Sequence, residues 1–283
     1  MTTRTASARA AILAVSRRAV AVLDGAARTM LQPYLDGGYR PDLPGEPSTP
    51  SSDNGIEIRN IVVRHGRRVA LEGVNGRFMP GSLTAVVGPN GAGKSSLLNV
   101  LAGIARPYRG DIVSPASARK RVAYLPQQAE LDRDYPVAVG EFVGLGRWRN
   151  FGAFRAPGED LAACVDRAVG AVGLAGSINR RIGELSVGQM QRALFARLML
   201  LNAEVLLLDE PFAAIDARTV EDLLALVARW HHQGRTVIAV VHDLAQVRAH
   251  FPSALMLART QIAWGETACV LTDENLAKAR SAV

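Results

Sequence analysis

Cysteine, aromatic residues and long apolar runs are all scarce in this 283-residue sequence. The two cysteines, Cys164 and Cys269, stand far apart and form no CxxC pair. This excludes a disulfide framework and suits a reducing compartment, where both residues are expected to serve in packing. No apolar run approaches the roughly 18 residues of a membrane-spanning helix. If the protein acts at a membrane, its membrane part must therefore belong to another chain.

Basic residues outnumber acidic ones, and the net charge of +7 raises the possibility of a nucleic-acid or anionic-membrane partner. The basic residues are spread along the chain, however, with no lysine-rich run and few aromatic residues between them. This distribution favours a generally arginine-rich composition over a binding patch, and we expect no nucleic-acid partner. The length allows one large α/β domain, or one domain with extensions.

Residues 1–55 differ in composition from the remainder of the chain. Between Arg4 and Arg28, arginines lie among alanines and are opposed only by Asp24, and the apolar positions could line one face of a helix. An organelle transit peptide, a membrane-surface helix and an extension without function all fit this pattern. Residues 41–54, rich in proline, serine and glycine, are typical of a flexible linker. We expect a disordered extension over 1–55 and a catalytic domain over 56–283.

From residue 56 onward, strand patterns alternate with helix patterns. Alternating apolar residues at 56–63 and 69–78, with a turn at His65-Gly66, predict an N-terminal antiparallel β subdomain. The later strands and helices predict an α/β fold with a parallel sheet. The predicted strands are 121–125, 205–208 and 236–241, and the predicted helices are 219–232 and one from Ser186. Helical patterns at 137–148 and 160–172 predict an all-helical insert over about 132–190.

A glycine-rich turn between a strand and a helix matches the phosphate-binding pattern G-x-x-x-x-G-K-[ST]. Its glycines let the backbone turn so that N–H groups face a phosphate chain, and the following helix directs its positive end there. Lys94 can reach the β- and γ-phosphates, and the Ser95 hydroxyl can bind Mg²⁺. The motif predicts a P-loop nucleotide-binding core. The motif comprises Gly88, Pro89, Asn90, Gly91, Ala92, Gly93, Lys94 and Ser95.

Polar side chains follow several of the other predicted strands. Asp209 and Glu210 end the apolar run 205–208, His242 follows 236–241, and Gln127 follows 121–125. The carboxyl ends of parallel strands meet at one edge of a sheet, which is where α/β folds bind ligands. Asp209 there can hold Mg²⁺ through water, and Glu210 can polarise the water that attacks the γ-phosphate. The convergence of these strand ends predicts a single site.

A second helix start carries its own phosphate-binding signal. In Leu185-Ser-Val-Gly-Gln189, Ser186 and Gln189 have the spacing of a capping box. A helix N-terminus with a serine and a bare glycine can bind phosphate. This phosphate need not belong to the nucleotide of the same chain.

From about Ile56 to its C-terminus, the sequence resembles the nucleotide-binding subunit of ABC transporters. The motifs occur in the order of that family: the P-loop, the Q-loop glutamine Gln127, LSVGQ, the run VLLLDEP, the D-loop ending at Asp216 and the switch histidine His242. The resemblance implies the ABC ATPase fold, ATP hydrolysis, and catalytic roles for Glu210, His242 and Gln127. It also implies Mg²⁺ bound through Ser95, Gln127 and Asp209, and nucleotide contacts from Ser96.

The resemblance further implies two such subunits arranged head to tail, with two ATP molecules between them. The signature residues of one chain, Ser186, Val187, Gly188 and Gln189, would face the γ-phosphate bound by Lys94 of the other. Two positions depart from the family pattern. Val187 replaces the first glycine of LSGGQ, and His65 stands where the family places an aromatic residue against adenine. An imidazole can stack on adenine, and Ser186 and Gly188 are retained, so we expect both functions to persist.

Two stretches are similar to importers of metals. The ending Trp264-Gly-Glu-Thr-Ala-Cys-Val-Leu-Thr-Asp-Glu-Asn-Leu resembles that of metal and metal-chelate importers, and residues 134–147 resemble the region after the Q-loop in zinc and manganese importers. The resemblance implies an ATPase at the cytoplasmic face of the membrane. Its partners would be permease subunits, a second ATP-binding subunit and, indirectly, an extracytoplasmic solute-binding protein. The transported zinc or manganese would not contact this chain.

Other classes remain open at the level of sequence. Importers of iron-siderophores, haem or cobalamin share these motifs, as do soluble ABC ATPases of iron–sulfur assembly. The absence of a coiled-coil insert disfavours the DNA-repair ATPases. A subunit that binds ATP without hydrolysing it is disfavoured by the presence of both Asp209 and Glu210.

Overall fold

The computed structural model describes residues 55–113, 122–127, 136–147 and 160–282. The predicted extension 1–55 therefore lies outside the described residues, except for Gly55, and so does part of the predicted helical insert. The described chain forms two compact units. An α/β unit contains residues 55–113, 122–127, 203–213 and 220–282, and a helical unit contains residues 136–147, 160–202 and 214–219.

The α/β unit contains a small antiparallel sheet. Its strands are β1 (Ile56–His65), β2 (Arg68–Phe78) and β4 (Arg109–Val113), in the order β2-β1-β4. Apolar residues of β1 and β2 alternate toward the core, as the pleat of a half-buried strand requires. The ring of Phe78 packs 4.5 Å, centroid to centroid, from that of Trp264, which belongs to the second sheet.

The second sheet of this unit has six strands in the order β5-β6-β7-β3-β8-β9. They are β3 (Leu83–Val87), β5 (Val122–Leu125), β6 (Val205–Asp209), β7 (Thr236–Val240), β8 (Ser253–Ala258) and β9 (Thr260–Glu266). All neighbours are parallel except β8 and β9. Every residue of β3, β6 and β7 is buried, because both faces of a parallel sheet are covered. The carboxyl ends of β5, β6, β7 and β3 therefore lie side by side.

The helices of the described chain follow these strands. They are α1 (Lys94–Leu101), α2 (Val139–Gly144), α3 (Asp160–Ala171), α4 (Val187–Leu201), α5 (Ala217–His232), α6 (Leu244–His250), α7 (Thr267–Val270) and α8 (Asp273–Ser281). In the α/β unit, Leu97 and Leu98 of α1 are completely buried in a core that includes Leu207 and Val240 of the second sheet. None of the described helices is long and apolar enough to cross a bilayer.

The helical unit is built on α2, α3 and α4. Its core contains Phe142 from α2, Val165 and Val169 from α3, and Phe195 from α4, all at most 7% exposed. The guanidinium of Arg197 lies 5.1 Å from the centroid of the Phe142 ring, and burial lowers the pKa of this arginine. The unit therefore has a hydrophobic core of its own.

The fold class predicted from the sequence is confirmed. The antiparallel hairpin, the parallel strands after it and the helix from Ser186 all form, with ends within a few residues of those predicted. The sequence patterns predict no elements in the C-terminal stretch, which contains β8, β9 and the helices α6, α7 and α8. The edge strand β4 was also not predicted.

Candidate functional site

The turn between β3 and α1 has a backbone that only glycine adopts readily. Gly88, Gly91 and Gly93 have φ angles of 147°, 79° and 93°. A Cβ atom at Gly88 would collide with the carbonyl oxygen of Leu257 in β8, and one at Gly93 with the carbonyl oxygen of Ala70 in β2. The predicted P-loop is therefore packed closely against two neighbouring strands, which hold its shape.

Lys94 is the first residue of α1 and is only 6% exposed. Its Nζ atom donates hydrogen bonds of 2.9 Å to the carbonyl oxygens of Gly88 and Pro89. Burial lowers the pKa of Lys94, and the charges of Glu210 and Asp209 oppose that shift. Phosphate oxygens would be stronger acceptors for this ammonium than two neutral carbonyls. The structure thus places a buried cation inside the loop.

Asp209, at the carboxyl end of β6, is 2% exposed. Its Oδ1 accepts a hydrogen bond of 3.1 Å from the Ser95 hydroxyl, and its Oδ2 accepts one of 3.3 Å from the Tyr124 hydroxyl. Burial is the main cause that raises the pKa of Asp209, and the two hydrogen bonds act against it. Burial and the nearby Asp209 raise the pKa of Tyr124 in turn. A carboxylate beside a serine hydroxyl offers the oxygen ligands that Mg²⁺ prefers.

Glu210 and His242 form a polar pair at the same sheet edge as Asp209. Glu210 Oε1 lies 2.6 Å from His242 Nε2. The backbone of Glu210 has φ of 49°, a left-handed conformation that is uncommon outside glycine and frequent at functional sites. The carboxylate of Asp243 accepts a hydrogen bond of 2.8 Å from the N–H of Ala245 and so caps α6. This cap fixes the chain immediately after His242.

Two further predicted residues, His65 and Gln127, also belong to the α/β unit. His65 ends β1, and its Nε2 atom lies 3.0 Å from the Ser96 hydroxyl in the first turn of α1. Gln127 follows β5 by two residues and is exposed. Among the described residues, no hydrogen bond joins the Gln127 side chain to the others of the site. The structure thus brings His65 and Ser96 together.

The signature residues belong to the helical unit. Ser186 caps α4: its Oγ accepts a hydrogen bond of 3.2 Å from the Gln189 N–H, and the Gln189 side chain accepts one of 3.1 Å from the Ser186 N–H. The predicted capping box is therefore confirmed. A Cβ at Gly188 would lie 3.5 Å from Asp216 Oδ2, and Val187 is 50% exposed. The valine thus occupies its position without burying its side chain.

Tyr124 is the residue that sequence reasoning missed at this site. It lies in β5 opposite Leu207 of the parallel strand β6. Side chains alternate along a strand, so Tyr124 shares a face with Leu207 and with Asp209 two residues further on. Only the strand order reveals this neighbour. The sequence signal that could have found it is a tyrosine hydroxyl one residue before the end of the predicted strand 121–125.

A glycine loop with a buried lysine, next to acidic side chains at the ends of parallel strands, defines a P-loop nucleotide-binding domain. The chain belongs to the ABC transporter family, whose model matches residues 71–213. The manganese transport system ATP-binding protein MntB of Listeria monocytogenes is 34% identical over 78% of this chain and 94% of its own length. The zinc transport system ATP-binding protein TroB of Treponema pallidum is 33% identical over 79% of this chain and 86% of its own.

A solved ABC transporter of the metal-chelate type, in an inward-facing conformation, has a similar structure. It superposes with a TM-score of 0.72 and 28% identity, over 80% of this chain and 89% of that chain. The family resemblance, the ABC ATPase fold and the nucleotide-binding ATPase class expected from the sequence are therefore confirmed.

Proposed function

We propose that this chain binds and hydrolyses ATP to energise an importer of divalent metal ions, of the manganese or zinc type. The observation that carries the proposal is the meeting of Lys94, Ser95, Asp209, Glu210 and His242 at one sheet edge. The choice of cargo rests on the relatives, which are named as ATP-binding proteins of manganese and zinc transport systems.

The P-loop is the part of the chain that holds the nucleotide. Its N–H groups and Lys94 bind the phosphates, and the positive end of α1 adds to this attraction. Ser95, Asp209 and Gln127 would hold Mg²⁺, which neutralises charge on the β- and γ-phosphate oxygens when bound. His65, whose Nε2 lies 3.0 Å from the Ser96 hydroxyl, would contact the adenine ring.

Glu210 is the residue that we assign to water activation. Its carboxylate follows the metal-binding aspartate directly and can accept a hydrogen bond from the attacking water. His242, 2.6 Å away, fixes the orientation of that carboxylate. A histidine in this place also donates a hydrogen bond toward charge that develops on the γ-phosphate. Both residues therefore act on the attack of water on the γ-phosphate.

We also propose that the working unit is a dimer of such chains. Ser186 and Gly188 start a helix whose N-terminus can bind phosphate, and they would complete the site of a second chain. The membrane-spanning part would be supplied by permease subunits, which places this chain at the cytoplasmic face of the membrane. A solute-binding protein would deliver the metal on the other side.

Import of a metal chelate is the second candidate function. It is favoured by the solved neighbour of the metal-chelate type, which is 28% identical. The ATPase chemistry would be the same in both cases. Only the cargo and the permease would differ.

Metal uptake in cells tests the proposal directly. We expect deletion of the gene to abolish high-affinity uptake of radioactive manganese or zinc, and the intact gene to restore it. Lys94→Ala should fail to restore uptake. Lys278→Ala, which removes an exposed lysine paired with Glu274 at 2.7 Å, should restore it fully. Loss of ferric-siderophore uptake instead would favour the second candidate function. Unchanged uptake of manganese, zinc and ferric siderophore in the deletion strain would refute both candidate functions.

A further inference from the structure

The tip of the β1–β2 hairpin lies beside the phosphate-binding loop. His65 and Arg68 form the last residue pair of the two antiparallel strands. The His65 ring contacts the Ser96 hydroxyl at 3.0 Å, which ties this tip to the first turn of α1. The hairpin tip is therefore held in a defined place relative to the P-loop.

The Arg68 side chain extends from this tip to the exposed part of the loop. Its Nη2 atom lies 3.6 Å from the place that a Cβ at Gly91 would occupy. Arg68 is exposed. In the parts of the chain that the structure describes, no carboxylate pairs with its guanidinium. A free cation thus stands at the surface of a loop whose interior already holds Lys94.

The neighbouring Arg67 provides an internal comparison. It is also exposed and, among the described residues, is also without a carboxylate partner. Arg68 is the one described side chain with an atom within 4 Å of that position at Gly91. The two adjacent arginines therefore carry the same charge at the surface, and of the two only Arg68 reaches within 4 Å of the Cβ position at Gly91.

We propose that Arg68 is a second phosphate-binding side chain, which contacts the polyphosphate of the nucleotide from the exposed side of the P-loop. The proposal rests on the nucleotide site assigned above. Lys94 binds from inside the loop as a point charge, whereas a guanidinium can donate two parallel hydrogen bonds to phosphate oxygens. Because Arg68 is exposed, its contribution falls as salt screens the charges.

Equilibrium binding to the purified full chain tests this assignment. ATP and adenosine compete with a fluorescent ATP analogue, at low and at high salt, for the parent chain and for Arg68→Gln, Arg67→Gln and Lys94→Ala. We expect Arg68→Gln to weaken ATP binding about tenfold at low salt, the scale of a hydrogen bond to a charged group. The loss should shrink at high salt, and adenosine binding should not change. Arg67→Gln should bind ATP and adenosine as tightly as the parent chain at both salt concentrations.

The outcomes separate this inference from the function on which it rests. If the parent chain binds ATP and Lys94→Ala does not, the nucleotide site stands. If Arg68→Gln then binds ATP as tightly as Arg67→Gln does, or if it weakens the binding of adenosine as much as the binding of ATP, Arg68 is not a phosphate ligand. If the parent chain and Lys94→Ala bind ATP equally, the nucleotide site and the role of Arg68 both fail. Thermal unfolding of each variant shows whether it is folded.

Discussion

At the scale of single residues, Asp209 shows how far sequence alone can go. An acidic residue after four apolar ones predicts a carboxylate at a strand end, and the structure places it there. The sequence also gives Ser95 as a neighbour through the P-loop motif. It does not give Tyr124, because that contact depends on β5 lying next to β6 and on their register. Contacts between distant strands are set by the topology of the whole sheet.

The buried Asp209 should cost stability in the absence of nucleotide. Its raised pKa means that the folded chain holds the proton more tightly than the unfolded chain. This group therefore favours the folded state most at low pH, and its contribution is lost as pH rises through the raised pKa. At neutral pH, Asp209→Asn removes the buried charge while keeping a hydrogen-bond acceptor.

We expect Asp209→Asn without nucleotide to melt roughly 2–4 °C higher than the parent chain at neutral pH, the shift that about 1 kcal/mol gives in a chain of this size. The advantage should vanish at pH values below the ordinary aspartate pKa. Hydrolysis of MgATP should be lost. Differential scanning calorimetry across pH measures the stability, and a lower melting temperature for the variant at neutral pH would contradict this account.

At the scale of secondary structure elements, the strongest patterns were predicted and the context-dependent ones were not. The apolar runs of β3, β6 and β7 are buried on both faces, and this is visible in the sequence. The edge strand β4 reads Arg-Gly-Asp-Ile-Val, with too few apolar residues to show a pattern. Strand β8 is apolar after Ser253, and short apolar runs of this kind do not distinguish strand from helix.

Strand β8 has a direct consequence for the P-loop. The carbonyl oxygen of Leu257 fills the space where a side chain at Gly88 would begin. We expect Gly88→Ala to destabilise the chain by about 2–4 kcal/mol through overpacking and backbone strain, and to abolish ATP binding. Urea denaturation and ATP binding measure the two effects.

Gly103 supplies the matched control, because it also has a positive φ, 75°, but nothing lies within 4 Å of its Cβ position. Gly103→Ala should lower the free energy of unfolding by about 1 kcal/mol, from the backbone conformation alone. It should leave ATP binding intact. Equal costs for the two variants would show that Leu257 does not constrain the loop.

At the scale of the whole molecule, the P-loop and the signature helix belong to different compact units. The capping box of Ser186 could be predicted because it depends on residues close in sequence. The partner of that helix N-terminus could not be derived from spacing, since it lies in a proposed second chain. Only the family resemblance indicates this assembly.

Cross-linking between two chains tests the proposed dimer. One chain carries Val187→Cys and the other Asn90→Cys, both at exposed positions, with Cys164 and Cys269 replaced by serine in each. We expect disulfide-linked dimers to form with MgATP and to be rare without it. Each single-cysteine chain alone is the control. Equal cross-linking with and without nucleotide would contradict the head-to-tail arrangement.

Turnover by Glu210→Gln is the measurement that bears most directly on the central claim, that the strand-end site hydrolyses ATP. The amide keeps the size of the side chain but cannot act as a base. We predict that the variant binds MgATP as tightly as the parent chain and hydrolyses it at least about 100-fold more slowly, the scale of general-base catalysis. Near-normal turnover with intact binding would show that Glu210 does not activate the water.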